Sequence, residues 1–422
     1  MIPKRILLKE TFFYMVSKAV PGLIGLASVI LFIRIFGSFE YGKYSFLLAQ
    51  CNLIVAFSFG WLNQAQLRYF SSDSNHHAFA SSQTKSFIFS GLIGIFVLSV
   101  LIIAQSLSLR IWGISMMAII AMGGFNYIKT RFQAKLVPAK IIWLTFGQSL
   151  FALIIPLGLI SFLTKEASTL LLGLGLSFLL IVTLIACTNL KRIYANYKRG
   201  ISADDGNILI KKWVTFGAPL SIWFAIGLAL PFLDRFFINQ YQSGDELGIY
   251  ASLQELLTRI FSLTLFPLVM ALHPRIMNLW NGEHPQSALK IIRQSIGFMF
   301  LLGVILFIII WNFDELIFSV IQMAIPEMDN QYAPLIKPLL LTGFLWQLSF
   351  ITHKMIELKE QTSRMVIFLI PSLIVNLVGN SLFLPQYGLV ATAYTALSSA
   401  LLYCIITGIY SMVKMQKEMT VK

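Results

Sequence analysis

The amino-acid sequence predicts an all-α polytopic membrane protein: about twelve transmembrane helices in two six-helix halves, with both termini in the cytoplasm. Three observations carry this. The 422 residues are 57% hydrophobic and only 12% charged, against about 25% charged in an ordinary soluble domain. The apolar runs last roughly 20 residues, enough to cross about 30 Å of hydrocarbon at 1.5 Å per residue, and twice the length of barrel strands. The basic residues are also sorted by side. With the N-terminus inside, most of the 32 Lys and Arg fall on cytoplasmic segments, and only Arg34, Lys43, Arg110, Lys165, Arg235 and Lys337 fall on outer ones. That sorting accounts for most of the net charge of +14 without a nucleic-acid partner.

The N-terminal half is read as residues 1–190, with spans near 11–33, 44–65, 86–106, 110–129, 140–162 and 168–189. The opening MIPKRILLKE runs straight into a full-length span and shows no small-residue cleavage site, so no cleavable signal peptide is expected. Span 11–33 carries Lys18, Pro21 and, at its outer end, Arg34. Lys18 either snorkels to the cytoplasmic surface or faces a wet path, because a cation at a helix centre costs at least about 2.5–3.5 kcal/mol. Arg34 reads equally well as an interfacial flank. The second span carries the amides Gln50, Asn52, Asn63 and Gln64, which either glue helices together or line a polar path.

A polar centre, KRIYANYKRGISADDGNILIKK (191–212), is read as a cytoplasmic linker. The C-terminal half, 213–422, has spans near 213–237, 247–272, 292–311, 332–352, 364–384 and 388–411. Its first span contains Pro219 and ends in Asp234–Arg235, which can form an interfacial ion pair. The next carries Glu255 and Arg259, one turn apart on one face and able to neutralise each other. Segment 312–331, with Asp314, Glu315, Glu327 and Asp329, is amphipathic and reads as an interfacial helix. The eleventh span carries Pro371 and the i, i+4 pair Asn376 and Asn380. Prolines in the opening spans of both halves are candidate hinges.

The halves echo each other. EYGKY at 40–44 and ELGIY at 246–250 share E-x-G-x-Y, both between the first and second span of their half. An even number of spans per half makes this a parallel repeat. Several chemistries find no support. Cys51, Cys187 and Cys404 sit in apolar runs without metal-ligand spacing, and the five His form no cluster. There is no phosphate-binding loop for ATP, no H-E-x-x-H and no G-x-S-x-G. Neither an enzyme, nor a metal, nor a cofactor is expected.

Three stretches carry a family resemblance: RIFGSFEYGKYSF (34–46), FGAPLSIWFAIGLALPFLDRFFINQYQSGDELGIYA (216–251) and IVNLVGNSLFLPQYGLVATAYTALSSALLY (374–403). They resemble the polysaccharide branch of the multidrug/oligosaccharidyl-lipid/polysaccharide exporter superfamily, the Wzx-type O-antigen flippases; residues 66–130 carry no such signature. The resemblance implies alternating-access transfer of an undecaprenyl-pyrophosphate-linked oligosaccharide across the bacterial inner membrane. Membrane lipid, the pathway's polymerase and its chain-length regulator would be partners. A pyrophosphate calls for fixed cations, so Lys18, Arg259, Arg34 and Arg235 become substrate-binding candidates. Gln50, Asn52, Asn376 and Asn380 become polar lining. Asp234 or Glu255 either balances the cations or takes up a proton that couples the cycle, and the sequence leaves both roles open. The rival readings are a multidrug exporter of the same superfamily, a peptidoglycan-precursor flippase and a membrane glycan polymerase. The first would need mid-span acids in the N-terminal half, where Glu10 and Glu40 lie only at edges.

Overall fold

A computed structural model describes residues 4–73, 78–135, 137–188, 203–282 and 285–420. It is helical throughout, with no strand among the described residues. The helices are α1 (Lys4–Asp73), α2 (Phe79–Ala104), α3 (Leu109–Ala134), α4 (Pro138–Leu159), α5 (Ala167–Thr188), α6 (Ala203–Tyr241), α7 (Gly244–Thr264) and α8 (Phe266–Asn281). They continue with α9 (Pro285–Asn312), α10 (Asp314–Ala324), a 3₁₀ turn (Asn330–Leu335), α11 (Ile336–Thr352), α12 (Lys354–Leu358), α13 (Thr362–Tyr387) and α14 (Leu389–Thr420).

Among the described residues, ten helical segments are long and apolar enough to cross a membrane. The first, Ala19–Phe70, holds two crossings, because α1 breaks at Gly37 (φ 81°, ψ 163°). Only glycine adopts that conformation at little cost. The break is therefore at Gly37, and not at the candidate hinge Pro21, which α1 carries inside its helix. The span expected at 247–272 is split into α7 and α8 at Leu265. Pro267 has no N–H to give to the helical ladder, which explains the interruption. With these two readings the chain makes the twelve crossings of the expected all-α architecture. The expected linker 191–212 lies partly outside the described residues; its last part, from Ala203, is the opening of α6.

The chain divides into two compact units: residues 1–25 with 44–228, and residues 26–43 with 229–422. In the first, the opening of α6 lies against the second half of α1. A Cβ on Gly217 would stand 2.1 Å from the Trp61 carbonyl oxygen, so the two backbones touch where only hydrogen separates them. Ser221 Oγ donates to the Ala56 carbonyl at 2.7 Å beside this crossing. Trp61, Leu62, Ala65, Phe79, Leu209 and Trp213 form a buried cluster below it.

The second unit contains the other close crossing, and it explains the repeated motif. A Cβ on Gly42 would lie 2.6 Å from the Gly248 nitrogen, and one on Gly248 only 1.8 Å from the Ser38 carbonyl oxygen. The two E-x-G-x-Y glycines thus face each other. Around them Ser243 and Glu246 close a capping box at the start of α7, and Ser38 Oγ donates to Asp245 at 2.5 Å. The Gly37 kink is held from the same unit: Glu327 accepts the Ser38 backbone N–H at 2.8 Å. The amphipathic segment expected at 312–331 forms α10, with Asp314 and Glu315 in its first turn, where negative charge suits the helix dipole.

Candidate functional site

The site is built in the second unit by three helices. Successive residues of a helix point about 100° apart, so Asp234 and Arg235 of α6 face different neighbours. On α7, Tyr250 and Gln254 are one turn apart, and Glu255 and Arg259 form the next i, i+4 pair. On α13, Asn376 and Asn380 share a face in the same way.

Asp234 is 1% exposed and lies at the centre of a closed set of donors. One carboxylate oxygen accepts from Asn376 Nδ2 at 2.8 Å and Asn380 Nδ2 at 3.1 Å. The other accepts from the Tyr250 hydroxyl at 3.1 Å and Gln254 Nε2 at 3.1 Å. All four donors are neutral. Asn380 Nδ2 also reaches the Asn376 carbonyl at 3.0 Å, which locks the two amides into one arrangement. Asn380 Oδ1 and Gln254 Oε1 are buried and have no hydrogen-bond partner among the described residues. Spare amide oxygens beside a carboxylate are the chemistry of a hard monovalent cation site, and a carboxylate within the span is equally able to take a proton.

Arg235 turns away from Asp234. Its Nη2 donates to Glu255 Oε1 at 3.2 Å, and Arg235 is 6% exposed. The second Glu255 oxygen lies 3.6 Å from Arg259 Nη2, whose side chain is 35% exposed. One carboxylate therefore sits between two guanidiniums in the ladder Arg235–Glu255–Arg259, and with Asp234 beside it the formal charges of the site balance. The expected ion pair between Asp234 and Arg235 is replaced by two separate networks. The expected Glu255–Arg259 pair forms and is joined by Arg235.

The remaining candidates fall elsewhere. Arg34 caps α10: its Nε donates to the Ala324 carbonyl at 3.1 Å, and its Nη2 donates to the Met323 carbonyl. Those are orphan acceptors of a helix C-terminus, which a guanidinium satisfies well. Gln50 belongs to the first unit and is buried with neither amide atom hydrogen-bonded among the described residues; Asn52, in the same unit, is half-buried. The Lys18 side chain lies outside the described residues. Sequence reasoning missed Tyr250 and Gln254. The available signal was the tyrosine of ELGIY together with a glutamine one turn later.

The family profile described as "Polysaccharide biosynthesis protein" matches residues 7–280, and that described as "MatE" matches residues 219–409. No curated protein sequence matches the chain. Among solved structures, a MATE in complex with MaL6 is similar at TM-score 0.66 and 11% identity, covering 98% of this chain and 97% of that one. An inward-facing multidrug resistance MATE family transporter of the MOP superfamily is similar at TM-score 0.66 and 12% identity, covering 98% and 96%. A MOP superfamily transporter from Pyrococcus furiosus, whose reversed binding-pocket polarity suggests a different function, is similar at TM-score 0.62 and 12% identity, covering 98% and 96%. At these identities the structures establish the fold, and the profile over 7–280 establishes the family. The chain is a multi-pass membrane transporter on the MATE fold and belongs to the polysaccharide biosynthesis protein family.

Proposed function

We propose that the protein is a flippase that carries an undecaprenyl-pyrophosphate-linked oligosaccharide across the bacterial inner membrane by alternating access. The observation that carries this reading is the ladder Arg235–Glu255–Arg259: two guanidiniums share one carboxylate, and Arg259, the most exposed of the three at 35%, lies 3.6 Å from Glu255, beyond a hydrogen bond. A partly exposed guanidinium inside a span is costly unless an anion or water meets it. A pyrophosphate meets it, and a cationic drug does not. Arg259 and Lys18 are the cations assigned to the pyrophosphate, with Arg235 holding Glu255 in place; Gln50 and Asn52 remain assigned to the polar lining. Arg34, which spends its donors on α10, contributes to the outer architecture.

Asp234 is assigned to coupling and Glu255 to charge balance. Asp234 has neutral donors only, so a proton or monovalent cation arriving there changes the local charge outright. Glu255 is already neutralised from both sides. The polymerase and chain-length regulator of an O-antigen or related pathway are the expected partners, as the family's part in polysaccharide biosynthesis supports.

The test is reconstitution in liposomes with a labelled polyprenyl-pyrophosphate oligosaccharide, scoring arrival of label in the far leaflet. Rapid transfer by the wild type, lost in Arg259→Ala and Lys18→Ala, is the expected result. Transfer surviving both substitutions would refute the site assignment while keeping the flippase. Failure to move the glycan under either a proton or a sodium gradient, together with uptake of a cationic dye, would transfer the protein to the multidrug exporters.

A further inference from the structure

A second site lies in the first unit. Tyr69 near the end of α1, and Ile208, Lys211, Lys212, Thr215 and Phe216 near the start of α6, line an open cavity of about 710 Å³. Tyr69 and Phe216 pack edge to face at 5.5 Å between ring centroids, fixing one wall. That wall stands on the buried cluster containing Trp61, Phe79 and Trp213, so it is a rigid platform and not a loop surface.

The cations divide into two kinds. Lys212 is committed: it donates to Asp73 at 2.9 Å, and Trp213 Nε1 donates to the same carboxylate at 3.1 Å. Lys211 and Arg68 have no carboxylate partner among the described residues. The Arg68 guanidinium lies over the Phe216 ring at 4.4 Å, and the Lys212 ammonium over the Tyr69 ring at 4.3 Å. The aromatic faces hold Arg68 and Lys212 in place, and the donors of Arg68 and Lys211 have no hydrogen-bond acceptor among the described residues. Lys135, over the Phe70 ring at 5.6 Å, adds to the same basic rim.

Position decides what such a pocket meets. Tyr69 lies four residues past the span read at 44–65, and Ile208 five residues before the one read at 213–237. At 1.5 Å per residue both stand within about 8 Å of the hydrocarbon edge, the depth of the headgroups. Ile208, in the cavity wall, is exposed, large and apolar. A water-borne anion would leave that apolar surface bare; an acyl chain covers it. We propose that this cavity binds the phosphodiester headgroup of an anionic phospholipid in the leaflet on the side of the basic loops, with Arg68 and Lys211 on the phosphate and the acyl chain along Ile208.

The test uses the full chain in nanodiscs, with no glycan present, so it stands apart from the flippase reading. Retained lipid is counted by native mass spectrometry after exchange into phosphatidylglycerol, phosphatidylcholine or their mixture. The wild type should retain phosphatidylglycerol in preference to phosphatidylcholine. Arg68→Gln with Lys211→Gln should weaken that retention by roughly thirtyfold, as expected for two interfacial cations, and Lys85→Gln with Lys140→Gln should leave it unchanged. Equal retention of the two lipids would overturn the proposal, as would equal losses in the two double variants, which would mean diffuse attraction. Displacement of the lipid by dilute inorganic phosphate would also overturn it and make the cavity a free-anion site. Both cations of the pair are exposed, so the double variant should fold, and an unchanged melting temperature verifies this.

Discussion

Asp234 and Glu255 are acids on adjacent helices of one unit, and they are held in opposite ways. Asp234 accepts four hydrogen bonds from neutral amides and a hydroxyl. Glu255 takes two guanidiniums. The first arrangement holds a buried charge with neutral hydrogen-bond donors only. The second holds its charge between two cations. A site that must change its charge during a cycle needs the first kind, because protonating the carboxylate of a neutralised pair would leave its cation exposed instead. A structural bracket or an anion seat needs the second. The amino-acid types alone do not separate the two roles; their partners do.

The largest effect expected is on drive. Asp234→Asn keeps the size and the hydrogen-bonding reach of the side chain but removes the charge. Gradient-driven transport should fall by about a hundredfold, the upper range of a coupling free energy, while downhill exchange persists. Glu255→Gln should leave the drive in place. If Glu255→Gln uncoupled transport and Asp234→Asn did not, the two assignments would have to be exchanged.

Glu255→Gln should show itself in stability. It leaves two guanidiniums facing each other, one of them buried. The loss should be about 2–3 kcal/mol, below the usual cost of breaking a fully buried pair because Arg259 is partly exposed. Thermal unfolding in detergent measures it. Replacing Arg235 and Glu255 together by Met should recover most of it. A double variant no more stable than Glu255→Gln would mean that the ladder acts through its surroundings and not through its charges.

Gly248→Ala comes next, at about 2 kcal/mol from overpacking. Its Cβ would lie 1.8 Å from the Ser38 carbonyl oxygen, so α7 must move. Tyr250 is two residues on and Arg259 three turns on, so the displacement should disturb the donors of Asp234 more than the ladder. Gradient-driven transport should therefore drop further than stability does. Equal losses would show that the crossing serves packing alone.

The contrast between the acids also marks how far the sequence could be read. Apolar run length and the sorting of Lys and Arg gave the helical spans, since each is a local property. The i, i+4 spacings Asn376–Asn380 and Glu255–Arg259 were legible for the same reason. Two features were visible but mute. The E-x-G-x-Y repeat was seen, yet the contact between Gly42 and Gly248 joins residues two hundred positions apart. The Asp234–Arg235 dipeptide was flagged as a pair, whereas tertiary packing gives each residue its own partners 16 to 146 positions away. Arg34 read as a cation for substrate because nothing local says that the end of α10 arrives above it.

A third acid sharpens the comparison at its weak end. Asp314 lies outside the crossing segments, at the first turn of α10, and pairs with Lys337 at 2.6 Å. The hydrogen bond from Lys337 holds its carboxyl below the usual carboxylate range. Water surrounds it, so the charge is neither buried as at Asp234 nor confined as at Glu255, and the pair should contribute too little to shift the melting temperature. A folded value below the unfolded one fixes the sign: the contribution is complete above about pH 4, the unfolded carboxylate value, and is lost as pH falls through the folded value. Hydrogen exchange over 314–324, corrected for the intrinsic rate, should stay level from pH 7 to about pH 4 and quicken below that. Lys337→Ala should flatten the step. A step that survives Lys337→Ala would mean that the Asp314–Lys337 pair is not its source.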